Sequence, residues 1–517
     1  MTAAFVIILW ICQKLAEIFY LPLCLIRFFK KSKKCPPVTN KLLLLSASDL
    51  AQRIRKRKIT SVAVIQAYIS RINEVNPLIN AVIENRFEDA LLDAKKADDL
   101  IRNSGLNEEQ IAEKYPLLGV PLTVKGSIGV TGLIQSAGSR DHLIPADNDA
   151  DVVKHARDAG AIPLLVSNVP ELCLNWECSN KLIGTTSNPY DSTRTSGGSS
   201  GGEASLLGCG ASLIGLGSDL GGSVRLPAHY CGIFGHKPSP HVVSLVGLYP
   251  DCKDKEEWKE LCTIGPMTRY ATDLKLVLNI IAEPDIKKVL KLNQSVDLKN
   301  LKVYYMEDTN SILSTRLSDD VTNVIKKVVT YFDVLCTHKC KKIDMPTMRY
   351  CAESSYVKVL FLEMDVDDLF QGKDNQIYYE ILRYFCCKST HQASSIFYGI
   401  FKRHLKLIPE KTVQKLFSYL NKLREDFLKI LDDDAVFILP TGPCEAIYHG
   451  DMFRKSFNYG YCAAFNILGF PATNCPITFS KNGLPIGVQV VAGPNLDRLT
   501  LSVAEELERV FGGWKFS

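Results

Sequence analysis

Residues 197–222 hold ten of the chain's 33 glycines. The text reads Gly-Gly-Ser-Ser-Gly-Gly over 197–202 and Gly-Ser-Asp-Leu-Gly-Gly-Ser over 217–223. Glycine lets a backbone turn sharply and bring bare N–H groups close to a ligand. A run of such groups makes a concave anion site. Beside a serine hydroxyl it is a candidate oxyanion hole. A flexible linker would not be embedded in apolar text such as Leu213-Ile-Gly-Leu-Gly217. A Walker phosphate loop needs Gly-Lys-Ser/Thr at its end, which is absent. The window Gly198–Gly202 also satisfies the G-x-S-x-G nucleophile elbow on Ser200, and the window from Gly197 satisfies it on Ser199. That fold needs an acid and then a histidine downstream. His449 is the only histidine after residue 404, and its sequence neighbours give no support for the role.

The rest of the body reads as α/β. Ser61 is expected to cap a helix carrying Val62, Ile65, Ile69 and Ile72 on one face. A second helix is expected over about 86–103. Gly119-Val-Pro-Leu-Thr-Val124 is strand-like and ends at Lys125. A helix over 150–159 leads into a buried strand over Ile162–Val166. Strand text returns at Val436–Leu439 and Gly487–Val491, before a last helix near 497–510. Alternating short apolar strands and helices point to an α/β class. At 517 residues and 46% hydrophobic, the chain suffices for one large domain or two ordinary ones. Residues 290–430 read as a charged, largely helical, substrate-shaping region. Within them Ile396, Phe397, Ile400, Phe401, Leu405 and Ile408 interleave with Lys402, Arg403, His404 and Lys406. Such a stretch suits a membrane surface or an ordinary helix with a solvated basic side.

The formal net charge of +5 lies entirely in residues 1–37, where six cations face Glu17 alone. The remaining body is neutral, which argues against a nucleic-acid partner. The same 37 residues carry two apolar runs, 3–12 and 18–26. Together these suit a membrane-associated anchor. Gln13, Lys14, Glu17 and Pro22 interrupt them, so a true span and an interfacial helix pair both stay open. The basic cluster after the runs places the body on the cytoplasmic side. The 17 cysteines show no zinc spacing and read as reduced. Cys336, His338 and Cys340 are too few for a metal site on their own, and no metal is expected.

Several motifs together resemble the amidase signature family. They are Arg194 with Gly197–Gly202 and Asp219–Arg225, Gly119–Lys125, Asn168-Val-Pro-Glu171, Asn188-Pro-Tyr190 and Gly483–Gln489. The resemblance covers roughly 45–515, the expected catalytic domain behind an anchor at 1–37. Gly235-His-Lys-Pro-Ser239, Gln489–Pro494 and Phe511-Gly-Gly-Trp514 are similar to members acting on fatty-acid amides. The fold implied is a central mixed, twisted β-sheet covered by helices on both faces, plus the N-terminal membrane-associated helix. The activity implied is hydrolysis of a lipid-like amide without a cofactor, with a homodimer as one assembly to test. The resemblance assigns Ser223 as nucleophile, Ser199 as bridging proton shuttle after a cis peptide, and Lys125 as base. It assigns the N–H groups of Leu220, Gly221, Gly222 and Ser223 to the oxyanion hole, with Ser200, Asp219 and Arg225 in support. A lysine taken out of water can serve as a neutral base. Lys125 would then draw a proton from Ser199 as Ser199 draws one from Ser223. Two departures stand out. Gly126 replaces an acidic residue common after the lysine, and Ser196 replaces a proline. An amidotransferase A-type subunit, which shares these residues, and a membrane-bound pseudoenzyme that binds lipid amides are the alternatives.

Overall fold

The computed structural model describes residues 5–11, 13, 14, 17, 31–364 and 376–516. Its frame is one mixed sheet of eleven strands. The strands are β1 (Val82–Asn85), β2 (Pro121–Lys125), β3 (Ile162–Ser167), β6 (Ile214–Asp219), β7 (Phe234–Lys237), β8 (Thr263–Thr268), β9 (Lys302–Tyr305), β10 (Lys341–Lys342), β11 (Ala435–Pro440), β12 (Ala472–Phe479) and β13 (Pro485–Ala492). A separate two-stranded sheet pairs β4 (Ser179–Asn180) with β5 (Gly184–Thr185). The order across the large sheet is β1-β3-β2-β6-β8-β7-β12-β13-β11-β9-β10. β2 runs parallel to β3 and β6, and β9 runs parallel to β11 and β10. The other pairings are antiparallel.

Every residue of β2, β3, β6, β8, β11 and β13 is buried. Side chains alternate between the faces of a strand, so both faces of the sheet are covered. Helices supply the cover. Gly201–Gly208 packs on β2 and β6, and Phe87–Asn103 packs on β3. Asp497–Phe511 packs on β12 and β13, and Ala271–Ile281 packs on β8. The long helices follow amphipathic text; Asp319–Leu335 buries Val321, Val324, Ile325, Val328, Val329 and Phe332 along one stripe.

The expected strands and the last helix appear within a few residues of their expected bounds. Two expectations are corrected. Thr60, not Ser61, caps the first long helix, Ser61–Ile79, by accepting from Ala63 N. Ser61 is already helical and buried, and its hydroxyl donates to Gly119 O at 3.0 Å. Residues 290–430 are also not only helical, because β9 and β10 lie within them and extend the sheet beyond β11. β9 is only four residues of half-buried text, too short to stand out as a periodic pattern.

At the N-terminus residues 5–11 are helical. Val6 is buried and Phe5 packs against Val357, Val413 and Leu416, whereas Ile7, Ile8, Trp10 and Ile11 are exposed. Gln13 turns toward the body, donating to Leu313 O at 3.0 Å and Arg454 O at 2.7 Å. Lys14 pairs with Glu17 at 2.9 Å. The apolar run 18–26 lies outside the described residues. Among the described residues no helix is long and apolar enough to cross a membrane. The stretch at 396–408 is a helix, Ala393–Arg403, followed by a 3-10 turn, Leu405–Leu407. It buries Ile396 and exposes Phe397, Phe401 and Leu407.

Candidate active site

β2 carries Lys125 to its C-terminal end, where the parallel neighbour β6 delivers Ser218 and Asp219. Lys125 is fully buried. Its Nζ donates to Ser199 Oγ at 2.7 Å, Ser218 Oγ at 2.8 Å and Ser218 O at 3.2 Å. All three contacts are to oxygens of Ser199 and Ser218. Ser218 was not singled out in the sequence; its only signal was its place between Gly217 and Asp219.

Ser199 follows a cis peptide bond from Gly198, as the resemblance implied. The glycines around it are required by space. A Cβ on Gly198 would lie 2.7 Å from Asn175 O, and one on Gly197, whose φ is +81°, would lie 2.7 Å from Pro227 Cα. Ser200 sits at the start of the helix Gly201–Gly208 and donates its N–H to Ser223 O at 3.2 Å. That bond ties the 199–200 turn to the 220–223 loop. Ser199, Ser218 and Ser223 line one cavity with Leu172, Cys173, Leu174, Leu220, Leu248, Tyr249, Pro250, Trp258, Cys262 and Met364. The lining is mostly apolar.

Asp219 grips the backbone on both sides of Ser223. Its Oδ1 accepts from Gly222 N at 2.6 Å and its Oδ2 from Val224 N at 3.0 Å. Arg225 Nε donates to Asp219 Oδ2 at 3.1 Å and Nη2 to Oδ1 at 3.1 Å. Arg225 is anchored in turn by Asn466 Oδ1 at 2.6 Å, Gln489 Oε1 at 3.0 Å and Cys462 O at 3.0 Å. Asn466 also donates to Asp219 O at 2.8 Å. Burial alone would raise the Asp219 pKa, but the Arg225 charge and hydrogen bonds outweigh it and hold the carboxyl well below the usual range. Asn466 and Gln489 were missed as site residues, since nothing local ties residues 466 and 489 to 219. Removing the Arg225 charge, as in Arg225→Met, strands a buried carboxylate. The expected loss is about 3–5 kcal/mol of stability, read by urea unfolding.

Of the four expected oxyanion donors, Gly222 N–H is engaged by Asp219. Leu220, Gly221 and Ser223 give their N–H groups to no partner among the described residues. An added Cβ on Gly221 would meet Tyr459, Ala463 and Trp176 at 3.7–3.8 Å. Trp176 and Tyr459 stack with centroids 4.4 Å apart.

Two carboxyls near this frame complete the picture. Glu203, on the helix Gly201–Gly208, is fully buried and accepts from Thr123 Oγ1 at 2.5 Å, two residues before Lys125. Its pKa is pushed up to about 7, chiefly by burial. Glu177 accepts from His449 Nδ1 at 2.8 Å, which uses the histidine that the elbow reading required. Cys336 and Cys340 spend their thiols on the carbonyls of Leu298 and Val329. Among the described residues no group of three His, Cys, Asp or Glu could hold a metal.

The structure also gives a spatial reason for Gly126. A Cβ there would lie 2.6 Å from Ser167 O and 2.8 Å from Ile83 Cδ1. An acidic side chain has no room behind Lys125. Gly126→Asp is expected to cost about 1–3 kcal/mol from crowding alone, measurable by urea unfolding.

The family described as Amidase matches residues 63–501. Fatty-acid amide hydrolase 2 of Homo sapiens is 41% identical over 498 residues, covering 93% of this chain and 92% of that protein. Fatty-acid amide hydrolase 2-B of Danio rerio is 40% identical over 498 residues, covering 94% and 93%. A solved fatty acid amide hydrolase shares the fold with a TM-score of 0.73 at 20% identity, covering 92% of this chain and 87% of that one.

Proposed function

This chain belongs to the amidase family, and on that premise we propose that it hydrolyses fatty-acid amides through a Ser223–Ser199–Lys125 triad. That it is an amide hydrolase follows from its kinship with fatty-acid amide hydrolases at about 41% identity over 93% of the chain. The observation that carries the finer reading is the 2.7 Å contact of Lys125 Nζ with Ser199 Oγ, at a cavity that Ser223 also lines.

Lys125, as base, takes the Ser199 proton while Ser199 takes the Ser223 proton, and Ser223 Oγ attacks the amide carbonyl. The developing oxyanion meets the N–H groups of Leu220, Gly221 and Ser223, with Gly222 N–H shared with Asp219. An amine leaves poorly as an anion, so the proton must reach nitrogen as the C–N bond breaks. Ser199 delivers it and is reprotonated by Lys125. Water then attacks the acyl ester by the same relay and releases the acid. Asp219, Arg225 and Ser200 act through position, holding the segments on either side of Ser223.

The fatty-acid preference rests on the relatives and on the apolar lining of the cavity. Membrane contact fits the exposed Ile7, Ile8, Trp10 and Ile11 of the N-terminal helix, with Phe397, Phe401 and Leu407 beyond. An interfacial attachment by these side chains suits a catalytic domain over 45–515 with a basic flank in 1–37. Vesicle flotation tests it: Phe401→Glu is expected to reduce binding to anionic vesicles severalfold, and unchanged flotation would remove this surface from the reading.

The primary test is a fluorophosphonate probe with peptide mapping, alongside release of free acid from a long-chain primary amide. Label at Ser223 with acid release supports the triad. An unlabelled, inactive wild-type protein overturns it in favour of a binding-only role, and label mapped to Ser200 revives the nucleophile elbow.

A further inference from the structure

One wall of the cavity is fixed from outside by a charged pair. Glu171 is 2% exposed and directly precedes the lining residues Leu172, Cys173 and Leu174. Leu172 and Cys173 hold φ of 55° and 58°. Non-glycine residues enter that left-handed region at a cost, so this wall keeps its shape only while its surroundings enforce it. Glu171 is the enforcement on one side. Its Oε1 accepts from His391 Nδ1 at 2.7 Å and its Oε2 from Gln392 N at 2.6 Å.

His391 and Gln392 directly precede the helix Ala393–Arg403. The contact continues outward. His391 N donates to Ser389 Oγ at 3.0 Å, and Ser389 Oγ donates to Glu380 Oε2 at 2.7 Å. Glu380 belongs to the helix Gln376–Phe385 and also pairs with Arg383 at 2.7 Å. One line of hydrogen bonds therefore runs from two outer helices to the cavity wall. Burial alone would lower the His391 pKa, but the hydrogen bond and charge of Glu171 outweigh it, aided by Asp141 and Glu380, and the net shift is upward. Asp141 Oδ2 lies 3.6 Å from His391 Nε2. The pair thus favours an imidazolium held between carboxylates, a firmer hold than a neutral hydrogen bond.

The outer helices it reaches are unusually apolar on their free side. Tyr379, Leu382 and Phe385 are exposed on one, and Phe397 and Phe401 on the other.

We propose that His391 is a positioning residue for substrate selection: through Glu171 it sets the wall at Leu172–Leu174, against which the acyl chain of the amide lies. The inference rests on the reading of Ser223 as nucleophile and of this cavity as the acyl site. A purely structural ion pair would affect folding stability and all substrates alike. A positioning pair affects long acyl chains, which lie along more of the wall, more than short ones.

The test compares kcat and KM for a long-chain and a two-carbon primary amide in wild type, His391→Ala, His391→Gln and Glu171→Gln. In His391→Ala the long-to-short ratio of kcat/KM is expected to fall at least tenfold, carried by KM. His391→Gln keeps a donor to Glu171 and is expected to recover most of the ratio. Glu171→Gln keeps the shape, loses the charge and shifts the ratio the same way as His391→Ala. An unchanged ratio in both His391→Ala and Glu171→Gln, or equal losses for the two substrates, overturns the proposal. Fluorophosphonate labelling of Ser223 separates the layers: an unlabelled wild type sinks the catalytic reading, whereas a labelled wild type with unchanged ratios sinks only the role of His391.

Discussion

Ser223→Ala is expected to lower amide hydrolysis by about 10⁴–10⁶-fold, the scale seen when a serine nucleophile is deleted. Without an oxygen at 223 no acyl ester can form, and what remains is the oxyanion loop and the substrate cavity. Those alone retain some rate over water, which sets the lower bound on activity. The fold should persist. Ser223 lines the cavity, so truncation removes a hydroxyl from a hollow and no piece of the core. Unfolding midpoints within experimental error, combined with lost turnover and lost probe label, are the expected pair of results. A Ser223→Ala protein retaining a tenth of wild-type turnover would show that another group attacks the carbonyl.

Lys125→Ala is expected to lower turnover by about 10³–10⁴-fold, near the upper range for removal of a general base. The mechanism of loss differs from that at Ser223. The nucleophile is still present, so a fluorophosphonate should label Ser223 slowly. What is gone is the acceptor for the proton that Ser199 passes on. Lys125 is fully buried with three oxygen partners, so its removal also leaves Ser199 and Ser218 hydroxyls short of a donor. A stability loss of about 1–3 kcal/mol accompanies each buried polar group left unsatisfied. Folding and chemistry must therefore be separated, with labelling rates measured only where circular dichroism shows native protein. Lys125→Met, which restores bulk without basicity, should recover folding and leave turnover low. If Lys125→Met turns over at wild-type rate, the lysine is a packing residue.

The parts legible in the sequence are those where chemistry or periodicity is local. The glycine-rich text at 197–223 exposed both serines because backbone without side chains is costly and rarely concentrated by chance. β3 and β11 were readable because fully buried strands are short apolar runs, whereas β2 and β13 carry Thr123, Lys125 and Gln489 within mostly apolar text. β9 was not readable, since Lys302–Tyr305 borrows its burial from β11. Thr60 and Ser61 are chemically alike, and which hydroxyl caps the helix was decided by the distant Gly119 carbonyl. The motifs located Lys125, Asp219 and Arg225. Neither Asn466 nor Ser218 could be assigned a role from them, because each acts on a residue far away in the chain. Gly126 was legible only as an oddity; Ser167 and Ile83 supply its reason.

The placement of Lys125 and Ser218 at the ends of two adjacent parallel strands has a kinetic consequence. Residues 125 and 218 are separated by 93 positions along the chain, and Lys125 meets Ser199 across 74. Neither contact can form from local structure. Both require β2 and β6 to have paired, and pairing of distant parallel strands is slow because the loop between them must close first. During refolding from denaturant, helical signal should therefore return before Ser223 becomes reactive. The delay between the two would time the closure of the sheet's centre, making the nucleophile a reporter of assembly as well as of catalysis.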